Sequence, residues 1–399
     1  MPFYYSLWRQ PNDIRKRTAE GLKRLTRQFT DEGIPERTIS GTLLLATWNI
    51  REFDSAKYGE RCAECFYYIA EIINRFDLVA IQEVREDLSA LDRVQEILGG
   101  WWKYIVTDVT EGTSGNGERM AFMYDSRKVT FGGLAGEIVL PEAKTGPRLL
   151  QFARTPFICG FKAGWTKFNL CTVHIYYGQG VKDDPRRVKE IEDLAKLLAK
   201  RAKLPEQPAR PDGKVTAVRN IEPDNLVLLG DFNIFNRADV TMQKLVEAGF
   251  TVPDELTRLS GNNIAKNKHY DQIAFMARPN RFGTTGKAGV FDFYRSVFRH
   301  DEGPVYSKLM GGRYEKAKDP SRAYKDWRTY QMSDHLLLWV ELKTDFSDAY
   351  LDELATASNR RGAAEPASRP AAGAASSSSS REPVPARNRR KPKELAPAQ

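Results

Sequence analysis

The chain has 399 residues, 41% hydrophobic and 11% aromatic, with a formal charge of +9. That composition supports a large core and excludes a chain disordered throughout. No run approaches the roughly 20 apolar residues of a membrane helix, the four cysteines are too few for a disulfide scaffold, and the charged N-terminus lacks the apolar stretch of a secretory signal, so a cytoplasmic protein is expected.

In chain order, residues 12–30 place Ile14, Leu22, Leu25 and Phe29 among many charges, which predicts an amphipathic helix that docks on a core or serves as a nucleic-acid arm. Residues 42–50 read as a strand, 60–75 as a helix, 78–81 as a short buried strand and 88–98 as an amphipathic helix. Strands follow at 102–108 and 119–124 around the turn-rich 112–117, then at 151–161 and 167–175. Asp184 and Pro185 start a helix over 185–203. Residues 204–224 are Pro-rich and charged and read as a loop; 226–229, 272–277 and 336–342 read as strands and 238–248 as a helix. Several strand pairs lack an intervening helix. The pattern therefore predicts an α/β (α+β) fold, a four-layer sandwich of two packed mixed β-sheets flanked by helices, over a doubly wound parallel sheet.

The basic excess lies at the ends. Residues 356–399 carry nine Lys/Arg against three Asp/Glu, residues 1–40 carry eight against five, and the remainder is balanced. The expected organisation is a helical extension (1–40), one catalytic domain (41–345) and a disordered basic Ala/Ser/Pro-rich tail (356–399) suited to polyanion contact. Cys62-x-x-Cys65 has no second CxxC to complete a zinc site, so it and the strand cysteines Cys159 and Cys171 read as packed thiols in a reducing compartment.

Polar residues recur at the ends of apolar runs: Asn49 in WNIR, Glu83 in IQEV, His174 in TVHI, Asp231 and Asn233 in LLGDFN, and Asp334-His335 in MSDH. Glu83 leaves a buried strand, where a carboxylate costs several kcal/mol unless paired or metal-bound. Taken alone, such an acid also suits a helix cap or a salt bridge. Period-two alternation puts Asp231 and Asn233 on one side of an extended segment, and Gly230 leaves room for a ligand beside the backbone. Gathered together, these groups suit a divalent cation and a phosphate. Hydrolysing a phosphate ester needs an activated water, charge neutralisation on the phosphoryl oxygens and help for the leaving alkoxide.

The segments LLATWNIREFD, RFDLVAIQEVRE, GERMAFMYD, FARTPF, TVHIYY, LVLLGDFNI, HYDQIAF and MSDHLLLWVEL, in this order across residues 42–343, resemble the endonuclease/exonuclease/phosphatase family, and within it deoxyribonuclease I. The resemblance implies Glu83 as the principal Mg²⁺ ligand, with Asn49 and Asp334 nearby; Mn²⁺ is an alternative ion. It implies His174 and His335 flanking the scissile phosphate, oriented by Glu118 and Asp271. Asp231 and Asn233 would position the attacking water and a phosphate oxygen. Arg119, Arg154 and Asn233 would contact phosphate. Whether Asp231 or His335 is the base stays open.

Between residues 304 and 330, seven basic residues interleave with Tyr306, Tyr314, Tyr324 and Trp327. This segment reads either as part of a nucleic-acid groove or as a surface loop with packed aromatics. The function expected is a Mg²⁺-dependent nuclease of low sequence specificity, on DNA above RNA, acting as a monomer. A phosphatase or phosphodiesterase on a small or lipid phosphate, such as inositol phosphate or sphingomyelin, is the alternative. A retired active site is disfavoured, because each matched position keeps a competent residue type.

Overall fold

The computed structural model describes residues 2–53, 55, 59–111, 115–141, 150–202, 225–277 and 282–361. The chain divides into a unit Met1–Tyr350 and a unit Leu351–Gln399, the second described only for the end of a helix Ser347–Arg361. The expectations for 204–224 and for the tail beyond 361 lie outside the described residues.

Eleven strands form the framework among the described residues: β1 Thr42–Phe53, β2 Leu78–Val84, β3 Trp102–Val106, β4 Arg119–Asp125, β5 Thr130–Glu137, β6 Phe157–Ala163, β7 Thr166–His174, β8 Leu226–Asp231, β9 Asp271–Met276, β10 Thr284–Phe291 and β11 Leu337–Lys343. They make a six-stranded sheet ordered β10-β11-β1-β2-β4-β3 and a five-stranded sheet ordered β5-β6-β7-β8-β9. Both sheets are mixed. Each has one parallel pair inside it, β1/β2 in the first and β7/β8 in the second, and the other pairings are antiparallel. A parallel pair needs a crossover of a dozen or more residues. Helices Ala63–Asn74 and Pro185–Ala202 supply them.

Alternation along the strands sets the layers. Leu43 and Leu45 of β1, Leu78 and Ala80 of β2, Phe122 of β4, Leu170 of β7, Val227 and Leu229 of β8 and Ile273 of β9 form the cluster between the sheets. The residues of opposite parity, among them Leu44, Ala46 and Trp48, pack outward against helices. Leu22, Leu25 and Phe29 of helix Asn12–Asp31 join that outer layer, so this helix docks on the core. The second sheet buries its outer face against Ile191, Leu194 and Leu198 of helix Pro185–Ala202.

A buried ion network ties the N-terminal segment to the first sheet. Arg37 reaches Asp77 Oδ1 at 2.9 Å and also Asp125; Lys128 Nζ reaches Asp77 Oδ2 at 2.7 Å, and Arg127 pairs with Asp125. Leu44 N donates to Asp77 Oδ2 at 2.8 Å. Burial opposes ionisation of Asp125, yet hydrogen bonds from Arg127 and Arg37 hold its pKa down at about 2.

Four expectations change. The segment 304–330 is largely helical, with helices Gly303–Tyr306, Arg313–Lys316 and Pro320–Gln331. Pro320 stands at the start of the last helix and Asp319 caps it by accepting from Arg322 N at 3.0 Å. Residues 151–156 precede β6 instead of extending it. The helix Ser347–Arg361 covers the first residues read as disordered tail. Gly230, finally, adjoins no open space. Its φ is +130°, and a Cβ there would lie 2.2 Å from Val173 O, so glycine lets β8 approach β7.

Candidate active site

The polar residues singled out in the sequence meet where the parallel strands of both sheets end. Parity explains most of them. Asn49 continues the inward series Leu43, Leu45, Thr47; His174 continues Phe168, Leu170, Thr172; Asp231 continues Val227, Leu229; and Asp271 precedes Ile273. Asn49, His174, Asp231 and Asp271 are buried, as are Glu118, Asn233 and His335.

Glu83 is out of phase, because Gln82 holds the inward position beside Leu78 and Ala80. Gln82 spans the two layers, donating to Thr172 Oγ1 at 2.8 Å and Thr47 Oγ1 at 3.1 Å. Glu83 reaches the site because its φ is +61°, at a register shift where β2 leaves both β1 and β4. A left-handed non-glycine residue costs of order 1–3 kcal/mol and persists only where surroundings enforce it. Here Glu52 N donates to Glu83 Oε2 at 2.8 Å and Asn49 Nδ2 donates to Oε1 at 2.9 Å.

Two imidazole–carboxylate pairs converge on Asp231. His174 Nδ1 lies 2.7 Å from Glu118 Oε2, and its Nε2 lies 3.5 Å from Asp231 Oδ2. On the other side, His335 Nδ1 lies 2.8 Å from Asp271 Oδ2 and its Nε2 lies 3.7 Å from Asp231 Oδ2. Asp231 Oδ2 also accepts from Asn49 Nδ2 at 3.0 Å, while Oδ1 accepts from Asn233 N at 2.9 Å. Asn233 takes the left-handed conformation at φ +54°, and its Nδ2 donates to Ile175 O.

Each pair crosses the layers. Glu118 precedes β4 in the first sheet and His174 ends β7 in the second; His335 precedes β11 in the first and Asp271 begins β9 in the second. Backbone contacts hold the 333–335 segment. Ser333 Oγ donates to Asn49 O at 2.6 Å and accepts from His335 N at 3.0 Å, and Trp48 Nε1 donates to His335 O at 3.0 Å. Asn262 brackets Asp271, accepting from its N at 3.1 Å and donating to its O at 2.7 Å. Tyr270 lies over the His335 ring, centroids 5.4 Å apart.

The electrostatics separate the carboxylates. Burial raises Glu83, reinforced by Glu118 and Asp334 and opposed by His174. Burial likewise raises Asp271, to about 6, against the pull of His335. Asp231 is lowered, because His335 and His174 outweigh its burial. Glu118 is lowered too, with His174 and Arg154 prevailing over burial. Burial alone would depress His335, but Asp271 and Asp231 raise it well above an ordinary imidazole.

Asn49 Nδ2 contacts Glu83, its side-chain oxygen is buried without a hydrogen-bond partner, and the charge of the half-buried Asp334 bears on Glu83, so the three make an oxygen-rich group. Two carboxylates with an orphan amide oxygen suit a hard cation such as Mg²⁺, which takes oxygen ligands and keeps several waters. Asp231, Asp271 and His335 are a second group whose ligand atoms lie within 4.8 Å of one another and could hold a metal ion. Two of its members are already paired, through His335 Nδ1 and Asp271.

The arginines expected at the phosphate have other partners. Arg154 forms an ion pair with Glu118, Nε to Oε2 at 2.6 Å, and so stands behind the first imidazole pair. Arg119 has parity opposite to Glu118; its Nη1 donates to Thr107 O at 2.8 Å and lies 3.6 Å from Asp108. Gln82 and Asn262 are positioning residues that the sequence reading missed, and Ser333, inside the motif it singled out, was given no role there. For Gln82 the signal was its parity with Leu78 and Ala80; for Ser333, its place in the MSDH motif.

Two imidazole–carboxylate pairs around one aspartate, beside an oxygen-rich group, define a hydrolase of phosphate esters. The sequence profile of the Endonuclease/Exonuclease/phosphatase family matches residues 46–288, and the chain belongs to that family, whose members are metal-dependent phosphoester hydrolases on a deoxyribonuclease I-like fold. No curated protein matches the chain in a sequence search. Similar solved structures include D. rerio TDP2 complexed with single strand DNA product (13% identity, 75% of this chain and 98% of that one, TM-score 0.44). The Bacteroides thetaiotaomicron VPI-5482 mannosyl-6-phosphatase Bt3783 is another (17%, 75% and 99%, 0.44). The human Nocturnin catalytic domain with bound sulfate anion is a third (13%, 76% and 94%, 0.45).

Proposed function

We propose that this enzyme is a Mg²⁺-dependent nuclease that hydrolyses phosphodiesters with low sequence specificity, DNA above RNA. One observation carries the reading: both imidazoles face the same Asp231 oxygen, at 3.5 and 3.7 Å, each with a carboxylate behind its far nitrogen. That arrangement brackets a single phosphoryl group and supplies a proton acceptor beside it.

Glu83, Asn49 and Asp334 would hold the divalent ion, which would supply charge neutralisation at the phosphoryl group and help for the departing alkoxide. Asp231 and Asn233 orient the attacking water. Its proton passes to Asp231, beside the His335 ring that Asp271 keeps in orientation. His174, backed by Glu118, donates to a non-bridging oxygen. A carboxylate behind an imidazole fixes its tautomer and suits proton transfer near neutral pH. Support for a nucleic-acid substrate comes from the segment leading into Asp334, whose Lys308, Arg313, Lys316, Lys318, Arg322 and Lys325 all have substantial exposure or form the rim of a recess.

The test is a substrate panel of plasmid, linear and single-stranded DNA, RNA, inositol phosphates and sphingomyelin, run with Mg²⁺ and with EDTA, and with Asp231→Ala as control. DNA cleavage that requires Mg²⁺ and Asp231 is expected. Intact nucleic acids beside turnover of a small ester would assign the enzyme to small or lipid phosphates instead.

A further inference from the structure

Beside Ser333 a recess of about 460 Å³ lies between the end of β1 and helix Pro320–Gln331, within the roughly 300–1,000 Å³ typical of small-molecule clefts. Six of its seven described lining residues fall between 310 and 330, in the segment that leads into Asp334 and His335. Its lining includes the buried Met310 and Tyr330 and the half-buried Trp327. Trp327 is braced by Phe298, Tyr306 and Tyr324, with ring centroids 5.8, 5.2 and 6.0 Å away. Its ring is thus held in place before anything binds, which lowers the ordering cost of stacking.

The polar part of the lining is cationic on balance. Arg51 is steadied by Thr329, whose Oγ1 accepts from Nη1 at 2.6 Å; Arg313 is exposed; Asp326 is the one acid among the described lining residues. The recess also adjoins the catalytic segment. Arg51 N donates at 3.3 Å to Ser333 Oγ, the atom that also contacts Asn49 O and His335 N.

The geometry points to this recess as the subsite for the nucleotide next to the scissile phosphate. Its base lies against Trp327, its own phosphate faces Arg51 and Arg313, and Asp326 accepts from a base N–H. The inference rests on the nuclease reading and gives it a substrate class: a strand with an unstacked base, in preference to a phosphate ester without a ring. Tyr306 and Tyr324 do not share this role, since both are buried in packing.

The experiment compares the full chain with Ala323→Phe, which fills the recess from its lining helix, and with Arg313→Glu at an exposed position. Both lie outside the catalytic cluster. The substrates are a single-stranded oligodeoxynucleotide and an abasic oligomer of the same length. The readouts are KM, kcat and, in EDTA, the Kd of the labelled oligomers by fluorescence anisotropy. Ala323→Phe should raise KM and Kd about tenfold for the base-bearing strand and leave the abasic oligomer and kcat unchanged. Arg313→Glu should weaken both oligomers, most at low salt. Folded variants whose KM and Kd match those of the unaltered chain would overturn the subsite and leave the nuclease reading standing. The nuclease reading is decided by the full substrate panel; if that reading falls, the anisotropy arm still shows whether the recess takes a base.

Discussion

His174 and His335 face one oxygen of Asp231 from two sides, at 3.5 and 3.7 Å. Neither ring is held by its neighbours in sequence; Glu118 fixes one and Asp271 the other. The first prediction concerns the shared aspartate. Asp231→Asn keeps the shape and removes the acceptor, so kcat should fall roughly 10²–10⁴-fold with thermal stability little changed. Steady-state kinetics beside a calorimetric melt checks this. Retained turnover would remove Asp231 from the chemistry.

The carboxylates behind the rings act by orientation. Asp271→Asn and Glu118→Gln should each lower kcat by roughly 10–100-fold while KM moves little. An effect confined to KM would place these residues in substrate binding instead.

Removal of divalent ions tests the oxygen-rich group. EDTA should abolish hydrolysis and excess Mg²⁺ restore it. Glu83→Gln should raise the Mg²⁺ concentration for half-maximal rate by about tenfold or more. Isothermal titration with Mg²⁺ gives a readout independent of turnover. An unchanged ion dependence in Glu83→Gln would move the ion to another group, with Asp231, Asp271 and His335 the first to examine.

The Arg37–Asp77–Asp125 network gives a pH prediction away from the site. The Asp125 pKa is held at about 2 in the fold, below the roughly 3.9 of a free aspartate. A depressed carboxylate stabilises the fold fully above its unfolded value, and that contribution is lost as pH falls through the folded value. Arg37→Met should cost roughly 3 kcal/mol at pH 7, and the gap from the unaltered protein should narrow below about pH 4. Urea melts across pH 2–7 measure it; a gap independent of pH would show that Arg37 stabilises by packing on Trp102 instead.

Gly230→Ala would force a Cβ against Val173 O at 2.2 Å with φ at +130°. A loss of roughly 3 kcal/mol is expected, with parallel loss of activity because His174 follows Val173 directly. An unchanged melting temperature would contradict the close approach of these strands.

Much of this was legible from alternation. Asn49, His174, Asp231 and Asp271 each continue an inward apolar series, so their sequence positions already fixed their face. Glu83 was legible as a costly carboxylate at the end of a buried strand, but its direction was not, because parity assigns its place to Gln82 and a left-handed φ overrides it. Strands β5 and β10 were missed. Their segments TFGGLAGE and TTGKAGVF are rich in glycine and poor in apolar residues, and each is an edge strand held by ladder bonds to one neighbour. The helix Pro320–Gln331 had its start signal in Asp319-Pro320, obscured by scattered charges without a clear period. Arg119 and Arg154 could not be placed from motif alone, since their direction depends on partners distant in sequence.

Because every imidazole–carboxylate pair borrows one member from each sheet, the reaction doubles as a gauge of how the two layers sit. Slippage of about 1 Å between them would misplace both rings at once, enough to cost on the order of 100-fold in rate with the secondary structure intact. Cavity-forming changes at Phe122 or Leu229, deep in the interlayer, should thus silence the enzyme under conditions where spectroscopy still reports a folded protein.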